Sequence, residues 1–193
     1  PNTMKYYGGN DSNGDDQNAA QMIVDACKGL DSEIDFSKYD LNGDGEVDNV
    51  FVFYAGYGEA SSDVDNSVWP HQWELNSAGL SCTLDGVRIN KYACSNDLEE
   101  AEDSNEITPD GVGTFIHEFS HVLGLPDLYD TAGDGEWTPG TCDLMDQGPY
   151  NNNGRTPPTY SAYERNALGW IDPVVVTSPE SLTLKSIIDN NEA

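Results

Sequence analysis

Positive charge is what this sequence lacks. Its 193 residues hold 8 lysines and arginines against 35 aspartates and glutamates, a formal net charge of −27. A field of that sign repels nucleic acid and anionic membrane surfaces, so neither is an expected partner. No run of 18 apolar residues occurs, which excludes a membrane-spanning helix. None of the four cysteines (Cys27, Cys82, Cys94, Cys142) forms a C-x-x-C pair, so a cysteine zinc site is not expected. Histidine is scarce too, with three in the chain. The chain opens Pro1-Asn2-Thr3 with neither an initiator methionine nor a signal-peptide pattern, and reads as an excised or processed piece.

What is present suits one domain, or one domain built as two lobes, large enough to bury a core. The acidic excess reads either as solubility or salt adaptation, or as loops that bind divalent cations. Asp and Asn cluster with Gly in several of those loops. Residues 16–30 carry Ala19, Met22, Ile23, Ala26 and Cys27 at helical spacing. Val50 to Ala55 is a short β-branched and aromatic run that predicts a strand buried on both faces. Residues 68–75 and a hairpin over 80–94, turning at Asp85-Gly86, are further strands. Cys82 and Cys94 flank that hairpin, so the choice is a disulfide closing it, leaving Cys27 with Cys142, or free buried cysteines. Residues 95–109 hold six acids and no base and predict an exposed loop.

The clearest helix follows Thr108-Pro109-Asp110. Val112, Phe115, Ile116, Phe119, Val122 and Leu123 form its apolar stripe, and Gly124 ends it. Inside it lies His117-Glu118-Phe119-Ser120-His121. A separation of four residues places both imidazoles on one helical face, one turn apart, where they can share a metal. Glu118 stands beside them, placed to take a proton from water at that metal. Gly124 can turn the chain back at positive φ, and Pro126 prevents the helix from continuing. Asp127 can then reach the same metal, giving H-E-x-x-H-x-x-G-x-x-D; Asp130 nearby is an alternative ligand or a support for Asp127. Two histidines and a carboxylate leave one tetrahedral position open, as a catalytic zinc site requires. Against this stands the plain reading of two histidines that only pack or cap a helix. Metzincins carry a methionine turn beneath the metal, and Met145 in Cys142-Asp143-Leu144-Met145 is the candidate, unless it is an ordinary core methionine.

Asp40, Asn42, Asp44 and Asp48 occupy positions 1, 3, 5 and 9 of an EF-hand-like loop, with Gly45 at position 6 and Glu46 offering its carbonyl at 7. Position 12 is Phe51, so the bidentate glutamate is missing. The choice is a calcium loop or an Asx-rich turn without an ion. Asp11, Asn13 and Asp15 form a weaker cluster. His71, between Trp69 and Trp73, reads as a packed histidine, with a cleft role as the alternative. Tyr150 and Tyr163 are candidates to hydrogen-bond an oxyanion. Ser161 to Leu168 predicts a short helix, and Val174 to Leu184 a strand.

Three blocks resemble the immune inhibitor A family of secreted bacterial metallopeptidases. These are Tyr39 to Gly56, Val68-Trp69-Pro70-His71-Gln72-Trp73, and His117 to Asp130 with Leu144-Met145 and Ala167 to Ile171. They span residues 35–172. The resemblance implies an extracellular endopeptidase acting on proteins or peptides, with Zn2+ on His117, His121 and Asp127, Glu118 as base, and bound Ca2+. It also implies a propeptide and further β-rich domains. Cys142 departs from the family pattern and puts the shape of the neighbouring cleft wall in doubt. The expected fold is α/β and metzincin-like: a mixed twisted sheet with the active-site helix, over an irregular lower lobe. The upper lobe covers about 1–124 and the lower about 125–173, with 174–193 opening a following β module. A monomer that is secreted or held at the cell surface is expected. The rival class is a calcium-stabilised binding or adhesion module without catalysis; an esterase or amidase for small substrates is a third.

Overall fold

The computed structural model describes residues 2–62, 64, 66–100, 107–183 and 185–186. Four helices, α1 (Met4–Gly8), α2 (Ala19–Leu30), α3 (Gly113–Val122) and α4 (Ala162–Ala167), accompany six strands. The strands are β1 (Val50–Tyr57), β2 (His71–Glu74), β3 (Cys82–Leu84), β4 (Val87–Ile89), β5 (Lys91–Glu100) and β6 (Ile107–Pro109). The class is mixed α/β, as expected.

The long strand β5 organises the sheet. β1 runs parallel to it, with Val50 opposite Tyr92 and Phe53 opposite Ser95. β2 and β6 run antiparallel to it, His71 opposite Cys94 and Leu98 opposite Pro109. The acidic stretch from Ser95 is therefore strand as far as Glu100 rather than loop; residues 101–106 lie outside the described residues. Backbone pairing with Tyr54, Tyr57 and β6 decides this against local charge.

The core sits between α2 and the sheet. Ile23, Val24 and Cys27 of α2 pack with Val47, Leu75, Ile89, Tyr92 and Cys94. At about 1.5–3 kcal/mol per fully buried aliphatic or aromatic side chain, this cluster is the main apolar contribution to the fold. The β3–β4 hairpin turns at Asp85 and Gly86, both at positive φ as a two-residue turn requires. It pairs Cys82 with Ile89, while Cys94 belongs to β5. All four cysteines are free, so the Cys82–Cys94 disulfide is not formed. The hairpin is shorter than the cysteine spacing suggested, and Asn90 carries the chain into another strand.

Two further expectations change. β1 has one strand neighbour among the described residues, and Phe53 is exposed rather than buried. On α3 the buried positions are Gly113, Glu118 and Ser120, while Val112, Phe119 and Leu123 are exposed. Phe115 still holds α3 to the sheet, with ring centroids 4.8 Å from Phe51 and 5.4 Å from Phe53. The helix is thus rotated by tertiary packing so that its polar, chemically active face points inward. Described residues beyond Asp172 carry no regular element, so the strand expected from Val174 is absent up to residue 183.

Candidate metal centre

α3 brings the two imidazoles together and its termination brings the carboxylate. Gly113 lets the helix start against the backbone of Pro149: a Cβ there would lie 1.9 Å from the Pro149 carbonyl oxygen. At the other end Gly124 adopts φ +99, the Leu125 N–H returns to the Ser120 carbonyl at 3.0 Å, and the chain reverses. Asp127 then stands 3.2 Å from each ring, measured from its Oδ1 to Nε2 of His117 and of His121. The two Nε2 atoms are themselves 3.2 Å apart. Among the described residues this is the one group of three or more His, Cys, Asp or Glu able to hold a metal ion.

The other ring nitrogens fix the tautomers. His117 Nδ1 lies 2.9 Å from the Leu144 carbonyl and His121 Nδ1 lies 2.8 Å from the Leu125 carbonyl. A carbonyl only accepts, so both Nδ1 atoms carry the proton and both Nε2 lone pairs point at Asp127 Oδ1. Three lone pairs converging at 3.2 Å repel one another unless a cation lies between them. An equilateral set with that edge fits a tetrahedral ion at about 2.0 Å from each atom, the range of zinc bonds to nitrogen and oxygen. Asp127 Oδ1 is buried and has no hydrogen-bond donor. Burial alone would lower both imidazoles, but without a metal the Asp127 carboxylate beside Nε2 and the carbonyls on Nδ1 favour the protonated rings and raise them. Burial would raise Asp127, and the two rings outweigh it, holding that carboxyl well below the usual range.

Glu118 is 7% exposed and projects into the same cavity, of about 460 Å³, as the three ligand side chains. Burial pushes its carboxyl up to about 7, against the pull of His117 and His121 and a backbone hydrogen bond from Gln72. A carboxyl poised there exchanges a proton near neutrality. A larger cavity, about 770 Å³, shares Trp69, His71 and Trp73 with the cleft but contains no metal-holding group.

Met145 is fully buried and its carbonyl accepts from the Leu128 N–H at 2.8 Å, which ties this turn to the segment carrying Asp127. Asp130 does not join the metal group. Its carboxylate accepts the N–H groups of Gly133, Asp134 and Gly135, stapling its own loop. His71 is tied at both nitrogens, Nδ1 to the Trp69 carbonyl at 2.6 Å and Nε2 to the Tyr92 hydroxyl at 2.9 Å, and it also lines the cleft. Tyr150 lines the cleft, whereas Tyr163 is exposed on α4. Tyr129, which the sequence did not single out, also lines it, and burial with the neighbouring Asp127 raises its hydroxyl to about 12. Its position two residues after Asp127 was the available signal.

The 40–48 loop is closed by hydrogen bonds from its own backbone to its Asp and Asn side chains. Asp40 accepts the N–H groups of Gly43, Asp44 and Gly45 at 2.8, 3.0 and 2.9 Å. Asn42 accepts from the Asp44 N–H, Asp44 from the Glu46 N–H and Asp48 from the Leu41 N–H. Glu46 pairs through its side chain with Arg88. The 130–136 loop repeats the pattern, with Asp134 accepting from Glu136. The carboxylates of neither loop converge as a group of three in this structure.

Comparison with known proteins agrees with the geometry. The family profile described as the immune inhibitor A peptidase M6 catalytic domain matches residues 1–171. Immune inhibitor A of Bacillus thuringiensis subsp. alesti is 29% identical over 159 residues, covering 70% of this chain and 23% of that protein. Pre-pro-metalloprotease PrtV of Vibrio cholerae serotype O1 is 29% identical over a 221-residue alignment, covering 96% of this chain and 24% of that protein, in each of two strains. The chain thus spans about a quarter of the length of these relatives. With most of its length matched by that profile, this chain belongs to the immune inhibitor A peptidase M6 family, as a catalytic domain.

Proposed function

We propose that this zinc metallopeptidase domain is an endopeptidase in which His117, His121 and Asp127 hold the metal and Glu118 is the general base. The observation that supports it is the convergence of three lone pairs at 3.2 Å beside a buried carboxyl. Zinc, when bound there, supplies Lewis acidity and lowers the pKa of water. Glu118 takes the proton of the attacking water and hands it to the departing amine, a relay its near-neutral pKa favours. The carbonyls of Leu144 and Leu125 keep both imidazoles in the ligating tautomer. Tyr150 lines the cleft, which supports assigning it as the phenol that donates to the developing oxyanion.

The substrate is an extended protein or peptide segment lying in the cleft, between an upper lobe of residues 1–124 and a lower lobe of 125–173. Calcium at Asp40, Asn42, Asp44, Glu46 and Asp48 is supported by their spacing and by the ordered loop around Asp40. A relative is named as a pre-pro-metalloprotease, and secretion or surface display is proposed here by analogy. Among the described residues no helix is long and apolar enough to cross a membrane. Recovery of the native protein only from the cell interior would overturn that location.

The test is cleavage of a diverse peptide library by zinc-loaded protein and by Glu118→Ala. Internal cleavage by the wild type alone supports the endopeptidase. Silence from both, with zinc bound, favours the rival calcium-stabilised binding module.

A further inference from the structure

The methionine turn is held from below by an acid that the proposed reaction does not use. Glu164 of α4 is 0% exposed, and Asp143, which opens the turn, is 4% exposed. Glu164 Oε2 accepts the Ser161 N–H at 2.5 Å, completing a capping box with Ser161. Its other oxygen, Oε1, is buried with no donor. The carboxyl within hydrogen-bonding reach is that of Asp143, whose Oδ1 already accepts the Met145 N–H at 2.8 Å. Asp146, 3% exposed, is the third acid of the turn, and one of its oxygens takes the Gly140 N–H at 2.5 Å. These acids do not converge as a metal-holding group.

Two carboxylates in contact and out of water cannot both stay ionised cheaply: neither supplies a donor, and their charges repel. One proton answers both problems. We infer that Glu164 is a positioning residue, kept protonated and donating its O–H to the Asp143 carboxylate, so that one proton ties α4 to the floor of the metal site. The proton is assigned to Glu164 because its Oε1 is the buried oxygen left without any partner. Burial and the neighbouring Asp143 both raise the Glu164 carboxyl, while hydrogen bonds from Ser161 oppose them.

The tie reaches the metal group by two short paths. Asp143 fixes the turn at both ends, its side chain on the Met145 N–H and its carbonyl accepting the Gly148 N–H at 2.9 Å. Between these points the Leu144 carbonyl orients His117 Nδ1, and the Met145 carbonyl takes the N–H of Leu128, next to Asp127. A displaced turn therefore moves two of the three proposed ligands. This consequence for zinc rests on the metal-site reading above; the shared proton does not.

Two measurements test it. Infrared difference spectra at neutral pH, metal-free wild type minus Glu164→Gln, are expected to show the carbonyl stretch of a protonated carboxyl. That band is expected to shift in Asp143→Asn, which removes its charged acceptor. Absence of a Glu164-dependent band, or a band that ignores Asp143→Asn, overturns the shared proton whatever the protein cleaves. Second, Glu164→Gln can still accept from Ser161 and donate to Asp143, so its zinc affinity should stay within about twofold of wild type. Glu164→Ala should lose about tenfold or more, the scale of lost outer-sphere support. Equal losses in both variants, or none in either, would refute a positioning role that works through a donated proton.

Discussion

Removing the carboxylate of Asp127 is the perturbation that bears most directly on the metal site. In the wild type its Oδ1 completes a triangle of 3.2 Å edges with two oriented imidazoles. Zinc that binds only the folded state stabilises it by about 4 kcal/mol at a thousandfold excess over its dissociation constant. For a domain of this size each kcal/mol moves the melting temperature by about 2–4 °C, so zinc should raise it by roughly 8–16 °C. Deleting one of three protein ligands weakens binding by at least about a hundredfold, more than loss of an outer-sphere partner does. A hundredfold corresponds to about 2.7 kcal/mol and leaves a rise of roughly 3–6 °C at the same zinc concentration. The control is Asp130→Ala, whose carboxylate is occupied by its own loop and should leave the zinc-dependent rise in place. The assay is thermal unfolding of chelator-treated protein with and without zinc, using the difference for each variant so that altered apo stability cancels. A full zinc-dependent rise in Asp127→Ala, or its loss in Asp130→Ala, would refute the assigned ligand set.

Other outcomes follow from the same structure. Asp16 is raised to about 6, chiefly by burial and despite the Trp69 N–H, with Glu59 and Asp15 adding to the rise. Its folded pKa exceeds the unfolded one, so its contribution is full below about pH 4 and lost as pH rises through about 6. Asp16→Asn keeps an acceptor for Trp69 and should be more stable than wild type by about 1 kcal/mol at pH 7, once the shift is discounted for partial exposure. Equal stability at pH 7 in urea unfolding would count against the burial argument. Asp40→Ala removes the acceptor of three loop N–H groups and should lower the number of calcium ions bound by one in equilibrium dialysis; an unchanged number would leave the loop an Asx-rich turn. A thiol reagent should label Cys142 in the native protein and Cys27, Cys82 and Cys94 only on unfolding. Fewer than four reactive thiols after unfolding would restore a disulfide.

The convergence of the candidate metal ligands was legible in the sequence because it is local. Four residues of helix separate His117 from His121, and a glycine–proline turn separates them from Asp127, so spacing alone delivers all three to one place. The α2 and α4 helices and the β3–β4 turn were legible for the same reason: helical spacing, a short run closed by glycine and an Asp-Gly pair act within a few residues. What tertiary structure decided is non-local. Asp127 rather than Asp130 faces the rings because the Asp130 carboxylate is consumed by backbone N–H groups of its own loop. Local hydrophobicity pointed the apolar face of α3 inward, but docking Gly113 onto Pro149 and Phe115 onto β1 buries Glu118 and Ser120 instead. The acidic run after Ser95 became strand because β1 and β6 supply its hydrogen bonds. Cys82 and Cys94, twelve residues apart, were separated by a hairpin that ended at Ile89. Nor could spacing bring Glu164 to Asp143: that contact depends on how α4 lies under the methionine turn, and the energy of a buried acid pair exists only once water has been removed.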